Sequence, residues 1–282
     1  MNLWFTERET PSVALSAEVE RVLDHHQTAF QDLSVLQTKP WGKLLILDGA
    51  VMVTDLDEMG YHEMIAHVPL LSHPHPEKVL VIGGGDGGTV REVVKHAQVR
   101  EVVLCELDPD VVAASRTYFP QLSSGLDDPR VRIVHEDGAA FVRAQAGAFD
   151  VILVDSTDPV GPGKVLFEAS FYASVKEALK ADGMVVAQSE SPWYTPEIVT
   201  GLVAAMRTVF PKVGLYTSQV PTYPGGLWTF TIGSLGPDPR QCDRRRAAQL
   251  EHLRYYTPAL HEAAFVLPNF VQELVQKAGG NL

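Results

Sequence analysis

Lys78–Val94 reads KVLVIGGGDGGTVREVV. A short apolar run ends in glycines, and Val90, Val93 and Val94 then return at the spacing of one helix face. This is a strand, a tight turn and a helix, and the unit recurs downstream. EVVLCEL at Glu101–Leu107 is a second strand, with a helix beginning near Pro109. RVRIVHED at Arg130–Asp137 is a third, followed by a short helix to about Ala144. FDVILVD at Phe149–Asp155 is a fourth, and a helix around Ser170–Lys180 leads to a fifth, GMVVAQS. Val199, Leu202, Val203, Met206 and Phe210 mark the next helix. Strongly apolar strands alternating with helices imply a parallel sheet covered on both faces. Two close strands, about Gly214–Ser218 and Leu227–Ile232, leave no room for a crossover helix, so an antiparallel partner must close the sheet.

Working outward, the HPHPE stretch at His73–Glu77 divides the chain. The expected units are 1–72, a small N-terminal β domain with a linking helix, and 73–282, a Rossmann-like α/β domain. In the first, Gln31–Thr38 and Lys43–Leu47 flank a KPWG turn, Ala50–Thr54 follows an Asp48-Gly49 turn, and a helix runs from about Glu58 to Leu71. The tail from Cys242 reads as short helices.

Composition narrows the function classes. The 282 residues are 45% apolar and 21% charged, an ordinary globular balance. With 23 basic and 35 acidic side chains the net charge is −12, which disfavours nucleic acid and tolerates cationic partners. Two cysteines, Cys105 and Cys242, make neither a disulfide framework nor a four-thiolate zinc site, and no secretory signal opens the chain, so a cytoplasmic location is expected. The uncharged stretch Val213–Pro237 is broken by prolines and glycines and reads as a hairpin, not a membrane span.

Ligands of open α/β sheets sit beyond the carboxyl ends of the strands. There the sequence supplies Asp86 in the glycine turn, then Glu106 and Asp108, then Glu136 and Asp137 before Gly138, then Asp155 and Asp158. Helix capping accounts for any one of these acids, but not readily for four strand ends in register. Gly83, Gly85 and Gly88 satisfy the dinucleotide fingerprint G-x-G-x-x-G, and Glu106 stands where a ribose-binding acid belongs. Asp86, however, lies inside the turn that would cradle a pyrophosphate and would repel it. A ligand made of adenosine joined to a positive chain satisfies both observations. The histidines of HEMIAH are five apart and diverge on a helix, and His67, His73 and His75 are better read as ordinary histidines, so no metal is expected.

GGGDGGTVREVVKH, DSTDPVGPG, PTYPGG, DEMGYHEMIAHVPLL and FVLPNF together resemble the polyamine aminopropyltransferase (spermidine synthase) family, from about Phe30 to the C-terminus. The resemblance implies a class I methyltransferase-like domain behind a small β domain. It implies no cofactor, with decarboxylated S-adenosylmethionine as co-substrate and putrescine as acceptor, and a homodimer or higher homo-oligomer. It places Gln31, in what reads as the first strand, with Glu106, Asp137, Gly138 and Pro162 around the nucleoside. Asp86 holds the donor's amino end, and Tyr61, His62, Asp155, Asp158 and Tyr223 form the polyamine site. Asp155 is the proton acceptor by resemblance. Its usual pKa lies ~6 units below an alkyl ammonium's, so a positioning role stands beside that of base. Met52 and Leu56 depart from the family pattern, where Gln and Arg are frequent. Agmatine or cadaverine as acceptor, a methyltransferase on the same fold and a non-catalytic polyamine-binding module are the alternatives.

Overall fold

The computed structural model describes residues 2–159 and 161–279, without the side chain of Pro162. An antiparallel sheet of five strands opens the chain: β1 (Leu3–Thr10), β2 (Val13–Gln27), β3 (Asp32–Thr38), β4 (Gly42–Leu47) and β5 (Ala50–Thr54), in that spatial order. Then follow α1 (Glu58–Ser72), β6 (Lys78–Gly83), α2 (Gly88–Val93), β7 (Glu101–Cys105), α3 (Pro109–Tyr118), β8 (Val131–Val134), α4 (Gly138–Arg143), β9 (Phe149–Asp155), α5 (Ala169–Ala178), β10 (Leu179–Gln188), α6 (Pro196–Arg207), β11 (Lys212–Gln219) and β12 (Leu227–Ser234). Short helices α7 (Arg244–Ala247), α8 (Pro258–Ala263) and α9 (Asn269–Lys277) complete the chain.

The second sheet has the order β11-β12-β10-β9-β6-β7-β8. Strands β8, β7, β6, β9 and β10 are parallel, whereas β12 runs antiparallel to both β10 and β11. The uncharged stretch is therefore a hairpin, as the prolines and glycines required. No helix among the described residues is long and apolar enough to cross a membrane.

Both faces of this sheet are covered. Along β6, Val79 and Val81 pack into one core and Leu80 and Ile82 into the other; on β9, Val151 and Leu153 oppose Phe149, Ile152 and Val154 in the same way. Two-sided burial is why these strands are continuously apolar rather than alternating. The chain leaves β6 towards β7 and β8, then returns to β9. The order thus reverses between β6 and β9, and a crevice opens at their carboxyl ends.

Two features differ from the sequence reading. The hairpin β1–β2 is not legible there as strands, because the inward positions of β1 are Phe5, Glu7 and Glu9, so its alternation in burial has no counterpart in polarity. Helix α1, grouped with the first unit as a linker, is buried from Gly60 to Leu71 and shares a core with Val79, Val81 and Val151. By packing it belongs to the second unit. The units meet where Leu33, Val35, Leu45 and Leu47 of the small sheet pack on Val111 and Ala114 of α3 and on Phe119. That contact roofs the crevice.

Candidate active site

A cleft with a cavity volume of about 300 Å³ lies at the crevice. Its floor is the turn after β6 and the ends of β7, β8 and β9, and its roof is the small sheet with Gln31, Leu45, Leu47 and Met52. Gly83 and Gly84 adopt φ of +76° and +67°, a left-handed conformation that favours glycine. The close approach that demands glycine here comes from the protein itself. A Cβ on Gly85 would stand 2.7 Å from Glu106 Oε2, and one on Gly88 would enter the His62 ring. Each of these glycines makes room for a side chain of the site.

At one end Glu106 accepts the backbone N–H of Gly85 (3.0 Å) and of Asp108 (2.9 Å). Burial pushes its carboxyl up to about 7 against those two donors. Asp137 accepts the Ala140 N–H at 2.7 Å and caps α4; Asp108 accepts the Asp110 N–H at 3.0 Å and caps α3. Capping and lining are therefore done by the same acids. Asp108 also accepts from Thr28 Oγ1 (2.7 Å) and from Gln31 Nε2 (2.9 Å), which fixes Gln31 at the cleft wall. Gln31 lies just before β3, behind two strands, and not in the first strand. Gly138 lines the same end. The expectation for Pro162 falls on a side chain outside the described residues.

The centre is held by Asp155 at the end of β9. Tyr61 donates to one oxygen at 2.7 Å and Thr89 to the other at 2.6 Å, so the carboxylate has one orientation. Burial and then the charge of Asp86 push its carboxyl up, while His62, Thr89 and Tyr61 oppose the shift. Asp86 accepts the Gly88 N–H at 2.7 Å and stands 3.3 Å from His62 Nε2. Burial alone would raise Asp86, but the charge and hydrogen bond of His62 outweigh it and hold the carboxyl below its usual range.

His62 corrects an expectation. Proposed beside the ligand as part of the polyamine site, it does not line the cleft. It is buried behind Asp86, backed by Gly88, with Nδ1 2.8 Å from Glu58. The physical reason is the start of α1: Tyr61 and Glu58 flank His62 on the helix, and the tyrosine takes the ligand-facing position.

The opposite end continues into a smaller cavity of about 40 Å³ lined by Asp158, Glu190, Gln188, Glu7, Tyr223 and Trp228. Tyr223 uses its hydroxyl to donate to the Met52 carbonyl, and its ring meets Tyr61 and Trp228 edge to face. Glu190 has φ +70°, a strained conformation for a non-glycine residue. Burial and then Asp158 raise its carboxyl well above the usual range. Burial likewise carries Glu7 up to about 7, against the Val51 N–H that it accepts and with Asp158 adding to the rise. Neither glutamate was anticipated. Glu190 is the acid beyond the fifth strand, where the same strand-end logic reaches it; Glu7 lies on the unread hairpin.

Among the described residues, His62, Asp86 and Asp155 could together offer a metal three ligand atoms within 4.8 Å of one another. Both nitrogens of His62 already face carboxylates, which leaves no lone pair for a metal while those bonds stand. His67 bonds Glu92 (3.0 Å) and His96 (2.9 Å) in the core. Among the described residues, seven carboxylic acids line the larger cleft (Asp48, Asp86, Glu106, Asp108, Asp137, Asp155 and Asp158), with no lysine, arginine or histidine. It is built to hold a cation.

Comparison with known proteins accords with this geometry. Residues 58–241 match the spermine/spermidine synthase domain, and residues 3–55 match the spermidine synthase tetramerisation domain. The chain is 50% identical over 274 residues to a polyamine aminopropyltransferase of Moorella thermoacetica, covering 97% of this chain and 96% of the relative. It is 49% identical over 276 residues to that of Bacillus mycoides, covering 98% and 100%. Among solved structures, a spermidine synthase in complex with the transition-state analogue AdoDATO is similar at a TM-score of 0.95 and 42% identity, over 97% of this chain and 95% of that one. The spermidine synthase of Thermotoga maritima is similar at 0.92 and 40%, over 97% and 94%.

Proposed function

The chain belongs to the spermine/spermidine synthase family and is a polyamine aminopropyltransferase; we propose that it takes the aminopropyl group from decarboxylated S-adenosylmethionine and gives it to putrescine. The products are spermidine and 5'-methylthioadenosine. The observation that carries this reading is the set of seven acids spread along the cleft wall, with no basic side chain among the described lining residues. Two cations brought together at ~4 Å repel by about 4 kcal/mol at an effective dielectric of ~20, and such a wall offsets that cost.

In this reading adenosine lies at the Glu106 and Asp137 end, with ribose hydroxyls donating to Glu106. The donor's ammonium pairs with Asp86. The acceptor amine attacks the methylene carbon beside the sulfonium: a C–N bond forms, the C–S bond breaks, and its electron pair returns to sulfur as a neutral thioether. The attacking nitrogen gives up a proton to Asp155, whose raised carboxyl narrows the gap to the amine. The rings of Tyr61 and Tyr223 flank the hydrocarbon chain, and the distal ammonium reaches Asp158, Glu190 and Glu7. A four-carbon diamine has no charge between its ends, which suits an aromatic waist between two acidic ends. Leu3, Trp4, Val13 and Val22 are exposed on β1–β2, within the residues matching the tetramerisation domain, and support a homo-oligomer.

The test supplies decarboxylated or ordinary S-adenosylmethionine with putrescine, cadaverine, agmatine or spermidine and identifies products by mass spectrometry. Spermidine from the decarboxylated donor and putrescine is expected as the fastest reaction. A higher kcat/KM with agmatine overturns the acceptor assignment, and methylated products overturn the donor assignment.

A further inference from the structure

A chain of charged side chains leads from the cleft into the protein behind Asp86. His62 Nε2 is 3.3 Å from Asp86 and Nδ1 is 2.8 Å from Glu58. Glu58 accepts from Arg91 Nη2 at 2.8 Å, and Arg91 Nε donates to Glu92 at 2.7 Å. Glu92 is in turn paired with Lys95 at 2.7 Å. His62 itself is 3% exposed, so its ring cannot find water instead. A carboxylate only accepts, so an imidazole facing a carboxylate at each nitrogen needs a proton on both.

We propose that Glu58, steadied by Arg91, is a positioning residue that keeps His62 cationic, so that His62 in turn holds Asp86 ionised and in one orientation for the donor's ammonium. This rests on the functional reading above and extends it to a residue that does not line the cleft. The groups that face His62 are Glu58 and Tyr61 on α1, Asp86 in the glycine turn, Asp155 at the end of β9 and, through Glu58, Arg91 on α2. Burial would lower the imidazole, but Asp86 and Glu58 lift it to about 10. Burial would raise Glu58, but His62 and Arg91 bring it down to about 2. His62 therefore stays charged across the neutral range while Glu58 is present. Without Glu58 only Asp86 is left to oppose burial, and the imidazole's hold on its second proton weakens.

Glu58→Gln keeps the shape and hydrogen-bonding capacity of the side chain and removes the charge. The ratio of variant to wild-type kcat/KM for the donor, followed from about pH 6 to about pH 9, should fall as the pH rises through the new His62 value, by about tenfold overall. Arg91→Gln leaves the Glu58 charge in place, and its ratio should stay flat. The ¹⁵N resonances of His62 in the ligand-free protein should show both nitrogens protonated through about pH 8 in wild type. A neutral His62 in wild type at neutral pH overturns the proposal. A pH-independent loss in Glu58→Gln that matches Arg91→Gln also overturns it, as the mark of a merely structural ion pair. If wild type forms no product from these substrates, the functional reading fails, while the resonances still decide the charge of His62. They decide it as well if Glu58→Gln does not fold.

Discussion

Two parts of the cleft, one around Asp86 and one around Asp158, hold similar acids in opposite electrostatic states. At the Asp86 end, a buried imidazole and, one step behind, a guanidinium compensate the carboxylates, and Asp86 stays ionised. At the Asp158 end, Glu190 is buried and Glu7 half-buried, neither with a basic partner among the described residues, and both are pushed towards the neutral acid. Fixed charge suits a ligand group that is always an ammonium and must be told from one bearing a carboxylate. Charge that forms only when a cation enters suits an acceptor whose two ends must be distinguished. The contrast separates a permanent electrostatic anchor from one completed by its ligand.

The largest expected effect lies between the two ends. Asp155→Asn should retain 5'-methylthioadenosine binding but lower kcat by at least ~100-fold, as general-base or positioning losses do. Near-normal turnover would remove Asp155 from the mechanism and leave the two ends as the whole site. Asp86→Asn probes the permanent end. The preference for decarboxylated over ordinary S-adenosylmethionine, measured by calorimetry, should narrow by about ten-fold, or ~1.4 kcal/mol. Parallel weakening of both ligands would show that Asp86 only shapes the turn through its bond to Gly88.

Glu190→Gln probes the other end and should raise the acceptor KM by about fivefold, roughly 1 kcal/mol, the size of one hydrogen bond. The pH dependence is more telling. Glu7 and Glu190 have raised values in the free protein, and an ammonium favours their ionised forms. Diamine binding should therefore release protons, and acceptor KM should fall as the pH rises towards about 7, the value of Glu7. In Glu190→Gln that slope should shrink, and an unchanged slope would detach Glu190 from the acceptor. The mildest effect concerns the nucleoside. Glu106 sits at about 7 and ribose hydroxyls favour its carboxylate, so affinity for 5'-methylthioadenosine should rise with pH up to about 7 and then level. Affinity that falls over that range would remove the ribose contact.

The parts legible in sequence are those whose information is local. The two-sided burial of β6 and β9 shows as unbroken apolar runs, and the strand-end acids Asp86, Glu106, Asp137 and Asp155 all reach the cleft. His62 was found but misplaced, because its contact with Asp86 joins a helix start to a turn 24 positions away and only packing decides which of Tyr61 and His62 faces the ligand. Glu58 stands four residues before His62, a spacing that can be read on any helix, yet its importance appears only with Arg91 brought alongside. Glu7 lies on the inward face of a hairpin strand whose inward positions are mostly acidic, so no alternation of polarity betrays the strand. Gly85 and Gly88 match a dinucleotide fingerprint in sequence, whereas in the fold they chiefly admit Glu106 and His62.

Helix α1 is enclosed from Gly60 to Leu71, apolar and polar side chains alike, while its first turns carry Tyr61 and His62. A helix so enclosed cannot peel away on its own, since lifting it would strip the core from beneath β6 and β9. Its amide hydrogens should therefore exchange with solvent deuterium as slowly as those of the central strands, and only through unfolding of the entire domain. The groups behind Asp86 would then be lost and regained together with the fold, so that on heating, activity and ellipticity should disappear along a single curve.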